Sequence, residues 1–425
     1  MSRPKSFLGQ TCRKISVLAL AFAAITLTLS SLSQAQTETI IYDFLGGGPL
    51  GNPSFPVAGL TLASSGNFYG ITQEAGANNA GSVFELSPIS GGGWQETPIY
   101  SFTGGTDGAL PWSSVAIDSA GNLYGISSNG QASNGSSLYG AVYQLSPITG
   151  GGWHFTVLHD FIGGLDGGGP IGGLVVDSAG NVFGTSSYFG AGGQGTLFEL
   201  SPKSGGGWHF TVLHSFTGGT DGGEPYGNLI SDPAGNLYGT ASQGGLATHC
   251  KGGCGVVFKL SPTAGSAWHF SVLNSFTGAD GQTPWAGVTR DASGNLFGTT
   301  TAGGTDRSGT VFELSPRAGG AWHETLIHSF TDGDDGATPK AGLALDSLGN
   351  LYGAAEYGGS SSIGVFFEFS HSSGTWIETV LHTFTGDPDG QDPTGTPIFD
   401  SSGNLYGTTL LGGNLDSGSA FEITP

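Results

Sequence analysis

The stretch GGLVVDSAGNVFGTSS, residues 172–187, is two short apolar runs hinged on Asp177-Ser-Ala-Gly180-Asn181, and close copies of it recur along the chain. Aligned on the Gly-Asn pair, the copies fall at Asn67, Asn122, Asn181, Asn236, Asn295, Asn350 and Asn404, at spacings of 55, 59, 55, 59, 55 and 54 residues. A period of this size marks a repeat architecture and is read before any local motif. The hinge suits a tight hairpin turn. Its Asp can accept from backbone N–H groups ahead of it, and Gly and Asn tolerate positive φ. Turn chemistry therefore accounts for Asp118, Asp177, Asp232, Asp291, Asp346 and Asp400 without a ring of metal carboxylates, and the first copy has Ala63 instead.

Each unit holds four strand-like runs. In the third unit these are residues 173–177, 181–185, 196–200 and 208–216, each bounded by Gly, Pro, Asn or Ser. Such short, bounded runs read as strands, and nothing after residue 36 shows a helical period. Residues 38–44, ETIIYDF, match the fourth run, whereas residues 420–424, AFEIT, match the third. If the first strand completes the last unit, every strand type occurs seven times. A ring joined in this way covers the edges that a solenoid would leave open. The expectation is an all-β, seven-bladed β-propeller with four antiparallel strands per blade, one domain over residues 36–425.

Residues 1–35 carry a different message. Arg3, Lys5, Arg13 and Lys14 precede an apolar stretch over residues 15–29 and the small-x-small exit Ser33-Gln34-Ala35. That is the pattern of a secretory signal peptide cut after Ala35, and the run is too short for a retained anchor. Its removal takes the formal net charge from −21 to −25, because it holds four basic and no acidic residues. So acidic a surface repels nucleic acid and anionic membrane. The 26 Phe, 12 Tyr and 8 Trp exclude simple disorder, which would lack core-forming side chains. Cys250 and Cys254 are the two Cys left after the leader, and in an exported protein they read as a local disulfide. A zinc site would want four ligands, and only His249 lies alongside.

The pattern Pro-x-Gly-[Leu/Ile]-x-x-Asp-x-x-Gly-Asn-[Leu/Val]-Tyr resembles the NHL-type propeller repeat, in which the first run is the innermost strand. More closely, Gly-Asn-Leu-Tyr-Gly-Thr-Thr, Gly-Thr-Val-Phe-Glu-Leu-Ser-Pro, Gly-Gly-Trp and Leu-His-Ser-Phe-Thr-Gly resemble the GloVer tandem repeat of exported bacterial proteins, over residues 38–425. The resemblance implies a secreted or surface-attached propeller and supplies no catalytic residues to carry over. Members often add a C-terminal surface anchor, and none is expected here past Pro425.

Several motif matches dissolve in context. Residues 190–195, GAGGQG, fit a dinucleotide fingerprint, but no helix follows to meet a pyrophosphate. Residues 323–328, HETLIH, have one residue too many for a zinc-protease helix and lie on a strand. In the fourth strand Trp153, Phe155, Val157, His159 and Phe161 alternate and are expected on one face, packed between blades, with the His hydrogen-bonded at the rim.

Function is sought where the repeats differ. Two loops between second and third strands are long, around residues 129–139 and 243–254, through ligand selection or neutral drift. The residue after the Pro that enters the innermost strand is Val57, Trp112, Ile171, Tyr226, Trp285, Lys340 and Thr394 in turn. Trp112, Tyr226 and Trp285 beside a central channel can stack on sugar rings or hold an apolar ligand, with Glu224 and Lys340 as polar partners; equally, they can plug the channel. Asp387, Asp389 and Asp392 are oxygen-rich enough for Ca²⁺, although Asp-Gly turns explain them too. The leading expectation is an exported, non-enzymatic and monomeric binding or surface-interaction propeller for a glycan or protein, without cofactor. The alternative is an extracellular enzyme of lactonase, lyase or quinoprotein type at the channel mouth.

Overall fold

The computed structural model describes residues 37–46, 53–131, 137–247, 250–265 and 267–424. The leader lies outside these residues. Seven blades of four antiparallel strands stand in a ring. The third blade runs Val175–Val176, Val182–Ser186, Thr196–Pro202 and Trp208–Ser215, in that order across the sheet. In the last blade Ile398–Phe399, Leu405–Leu411 and Ser419–Thr424 come from the C-terminal end, and Thr37–Asp43 pairs antiparallel with Ser419–Thr424. Thr37 lies opposite Thr424 and Asp43 opposite Ser419. The described residues hold one helical turn, the 3-10 segment Ala318–Gly320, and no helix long and apolar enough to cross a membrane.

The turn chemistry takes the form its residues dictate. Asp177 Oδ1 accepts from the N–H groups of Ala179 and Asn181, both at 2.8 Å, and Oδ2 accepts from Asn181 Nδ2 at 2.8 Å. In the next blade Tyr238 also donates its O–H to Asp232, at 3.0 Å. Where Ala63 replaces the Asp, the backbone pairing with Asn67 persists and the Asn67 amide turns to Glu85 instead.

Packing is between blades. One cluster joins Tyr124, Ile126, Val142 and Phe161 of the second blade to Leu174, Val182, Phe198 and Leu200 of the third. Phe198 lies over the second strand because Gly184 has no side chain: a Cβ there would sit 2.6 Å from the ring. The Phe that follows each fourth strand, Phe44, Phe102, Phe161, Phe216, Phe276, Phe330 and Phe384, has no exposed surface. Each such burial stabilises the ring by about 1.5–3 kcal/mol.

The fourth strand corrects one expectation. Its pairing with the third strand slips between Val142 and Tyr143, so Val142 faces His159 while Tyr143 faces Val157. A bulge adds one residue and reverses the faces beyond it. Phe155 therefore stacks on Tyr100 of the preceding blade (centroids 4.1 Å apart), whereas His159 stacks on Phe210 of the following one (3.8 Å). The five side chains do not share one face.

That reversal builds a contact station at each blade boundary, using the late position of one fourth strand and the early position of the next. Tyr100, His159 and His214 meet Phe155, Phe210 and Phe270 in stacks. Elsewhere the early residue is Glu. Tyr42 hydrogen-bonds Glu96, Asn274 donates to Glu324 at 2.9 Å, and His328 lies 3.4 Å from Glu378. Glu38 lies within reach of the Asp389 charge. Burial pushes Glu38, Glu96 and Glu324 up to about 7 and Glu378 to about 8, helped by Asp389 at Glu38, Asp280 at Glu324 and Asp335 at Glu378.

Candidate functional site

All seven residues that follow the entry Pro line a single cavity of about 270 Å³: Val57, Trp112, Ile171, Tyr226, Trp285, Lys340 and Thr394. One from each blade meets the others because the innermost strands converge on the ring axis. Gln73 and Glu356, from just past second strands, and Leu410, near the end of the strand Leu405–Leu411, join them, so both kinds of loop open on this face. The aromatic side chains leave space between them. Tyr226 and Trp285 stack on each other with centroids 4.4 Å apart.

The polar side of the mouth is built on blade six. Lys340 Nζ donates to Glu356 Oε1 at 2.7 Å; Lys340 is about one-third exposed and Glu356 is 4% exposed. Glu356 Oε2 is buried without a well-formed hydrogen bond, and Tyr357, whose phenol is raised by burial first and by the Glu356 charge second, lies within hydrogen-bond reach of that carboxylate. Asp392 is 7% exposed with an unpaired Oδ1, and burial followed by the Glu356 charge raises its carboxyl. Glu224 does not line the cavity. It accepts the Tyr226 O–H at 2.7 Å, and Tyr188 completes that chain through its own hydroxyl at 3.2 Å.

The backbone at the rim is strained in a regular way. The residue before each entry Pro has positive φ: Phe55 59°, Leu110 52°, Gly169 59°, Glu224 50°, Thr283 57°, Thr338 54° and Asp392 55°. Glycine would adopt this conformation freely, whereas a side chain there costs about 1 kcal/mol or more. Six of seven blades nevertheless carry one. At Gly169 a Cβ would sit 2.6 Å from the Tyr188 ring, so glycine there makes room for an aromatic wall instead. The mouth thus has a common backbone and a different side chain from each blade.

The remaining expected residues are dispersed. Asp387 is exposed; Asp389 accepts from Thr385 N–H and Oγ1 and lies 3.0 Å from His382 Nε2; Asp392 lies beside Glu356, behind the cavity lining. The three do not form one ligand set, because the turn and the histidine already occupy Asp389. Among the described residues, His328, Asp335 and Glu378 form the one His/Asp/Glu group whose ligand atoms all lie within 4.8 Å of one another. Cys250 and Cys254 are disulfide-bonded in the long loop of blade four, whose His249 lies outside the described residues, as do residues 132–136 of the blade-two insertion.

Sequence reading missed Glu356. Three residues after the second-strand Gly the units read Gln73, Ser128, Ser187, Ser242, Thr301, Glu356 and Leu410. Ser128, Ser242 and Thr301 donate to the carbonyl of the left-handed residue. An acid in a largely hydroxyl column, in the unit that carries Lys340, was the available signal.

Among solved structures, a protein of Bacteroides uniformis named as a "putative 6-phosphogluconolactonase" aligns with a TM-score of 0.50 at 14% identity, over 76% of this chain and 84% of that one. A Dyadobacter fermentans protein of unknown function aligns with a TM-score of 0.43 at 13% identity, over 92% and 100%. At such identities the first likeness speaks for the propeller fold alone. No curated protein matches the chain in sequence. The repeat itself is matched by one family model over residues 27–252 and 247–425, and with seven blades built on that repeat the chain belongs to the Gloeobacter/Verrucomicrobia repeat family.

Proposed function

We propose that this protein is an exported binding propeller that takes a saccharide at the mouth of its central channel. The observation that carries the reading is the cavity itself: Trp112 and the Tyr226–Trp285 stack share a space of about 270 Å³ with the Lys340–Glu356 pair. Aromatic faces with a few placed polar groups suit sugar rings, whose C–H faces are apolar and whose hydroxyls need fixed partners. The volume suits one or two rings. The export leader and the Cys250–Cys254 disulfide support an extracellular setting.

An enzyme at the same mouth is the second reading, favoured by Lys340 set against a buried carboxylate. The name of the Bacteroides protein concerns a phosphorylated sugar lactone. Here a phosphate would meet Glu356, with Asp392 and Glu224 behind the wall and Lys340 as the single basic group lining the cavity, which weighs against that substrate.

A glycan array probed with the purified protein and with Trp112→Ala and Trp285→Ala tests the proposal. Both variants are expected to lose the signal at least tenfold, as roughly 1.4 kcal/mol of lost stacking would produce. Equal signals from all three proteins would reject the aromatic site. Turnover of a sugar lactone, abolished by Lys340→Met, would favour the enzyme.

A further inference from the structure

Charge at the mouth points to a narrower ligand class than sugars in general. Lys340 and Glu356 are the charged residues that line the cavity, and they offset each other. Behind them the balance is negative: Asp392 lies beside Glu356, and Glu224 holds the Tyr226 hydroxyl. Two of these carboxylates are more than nine-tenths buried, and each has an oxygen without a well-formed hydrogen bond, Glu356 Oε2 and Asp392 Oδ1, with Tyr357 and Gln391 the nearest donors to the two groups. A buried carboxylate oxygen without a donor is costly, and a ligand that brings one removes the cost. Glu356 borders the cavity itself, and Trp285 stands on the neighbouring blade. A donor that is also a cation gains twice, from the surplus carboxylates and from the faces of Trp285 and Tyr226. Anionic sugars meet the opposite field.

Resting on the saccharide reading above, we infer that the channel mouth selects a sugar carrying a free, protonated amine. Its ring lies on the Tyr226–Trp285 stack, and its ammonium donates to the Glu356 carboxylate at the cavity wall. The amine is what separates this ligand from its N-acetylated counterpart, which has the same ring and no charge. The acidic surface of the whole chain, 32 Asp and Glu against 11 Lys and Arg, attracts such a cation from a distance, and the aromatic wall distinguishes capture from mere attraction.

The test is calorimetric titration with two probes, the tetramer of β-1,4-linked glucosamine and its fully N-acetylated form, at fixed salt and mildly acidic pH. The free amine is expected to bind about tenfold tighter or more, the scale of one charge-assisted hydrogen bond. Glu356→Gln brings the ratio of the two affinities close to one, while Trp285→Ala weakens both probes together. Asp392→Asn, which keeps a residue tolerant of left-handed backbone, lowers the ratio and serves as the second variant if Glu356→Gln fails to unfold cooperatively. Equal affinity for the two probes, with both lost in Trp285→Ala, overturns the amine and leaves the saccharide site standing. Binding of the amine that survives Glu356→Gln, Asp392→Asn and Trp285→Ala is surface attraction and overturns the inference as well. If neither probe binds, the inference falls, and the glycan array judges the broader reading by itself.

Discussion

Asp232 shows how much one side chain does in this fold. It accepts hydrogen bonds from Ala234 N–H at 2.9 Å, Asn236 N–H at 3.0 Å, Asn236 Nδ2 at 2.7 Å and Tyr238 O–H at 3.0 Å. These bonds hold its carboxyl below the ordinary range against the opposing effect of burial. Asp232→Ala is expected to lower stability by about 1–2 kcal/mol, read from the urea midpoint at constant slope. The loss is bounded because Ala63 already holds the same turn through its backbone alone. Thr283 makes the converse case. A β-branched residue at φ 57° is strained, so Thr283→Gly is expected to leave stability unchanged or raise it by up to about 1 kcal/mol in the same measurement. A clear loss would show that the threonine side chain itself supports the rim.

At the level of the strands, the stations between fourth strands split into two chemistries with opposite pH responses. At the Glu stations the folded value is about 7 for Glu96 and Glu324, against an ordinary 4.5. Between those values the folded chain keeps a proton that the unfolded chain releases, so stability falls as pH rises through the window. At the Phe stations burial lowers His159 and His214 below 6.5 despite Asp166 and Asp221. There the unfolded chain takes up the proton first, so stability falls as pH drops below that value. The double variant Glu96→Gln/Glu324→Gln is therefore expected to lose less stability between pH 5 and pH 8 than the native protein. Midpoints in urea at the two pH values check this, and parallel shifts in both proteins would contradict it. Alternation along the fourth strand was legible, whereas the bulge that turns His159 toward Phe210 was not. A bulge is set by how two strands register, and that information is not local to either.

For the whole molecule, the strand Thr37–Asp43 joins the two ends of the ring. It pairs with Ser419–Thr424, its Tyr42 reaches Glu96 of the first blade, and Phe44 behind it is completely buried. Deleting residues 37–44 would uncover the edge of Ser419–Thr424 and empty one of the seven core positions. The expected result is loss of the single cooperative transition, with self-association through the freed edge; fluorescence and circular dichroism melts together with size-exclusion chromatography would report it. An unchanged, monomeric and cooperative transition would mean that this strand does not hold the ring. The disulfide, which closes a separation of only 4 residues, is expected to matter far less on reduction, since a short loop restricts the unfolded chain little.

The sequence by itself determined the repeat, the strand count, the turns and the residues that meet at the channel, because each follows from local chemistry written seven times. Period and phase were enough to place Trp112, Tyr226, Trp285 and Lys340 around one cavity. Only the tertiary structure decided the partners: Glu356 beneath Lys340, Glu224 behind Tyr226, Asp392 apart from Asp389, and Phe or Glu across each blade boundary. Those contacts join positions from 2 to 50 or more residues apart, and bulges and left-handed residues set them. Both depend on how neighbouring blades press together, which no single repeat contains.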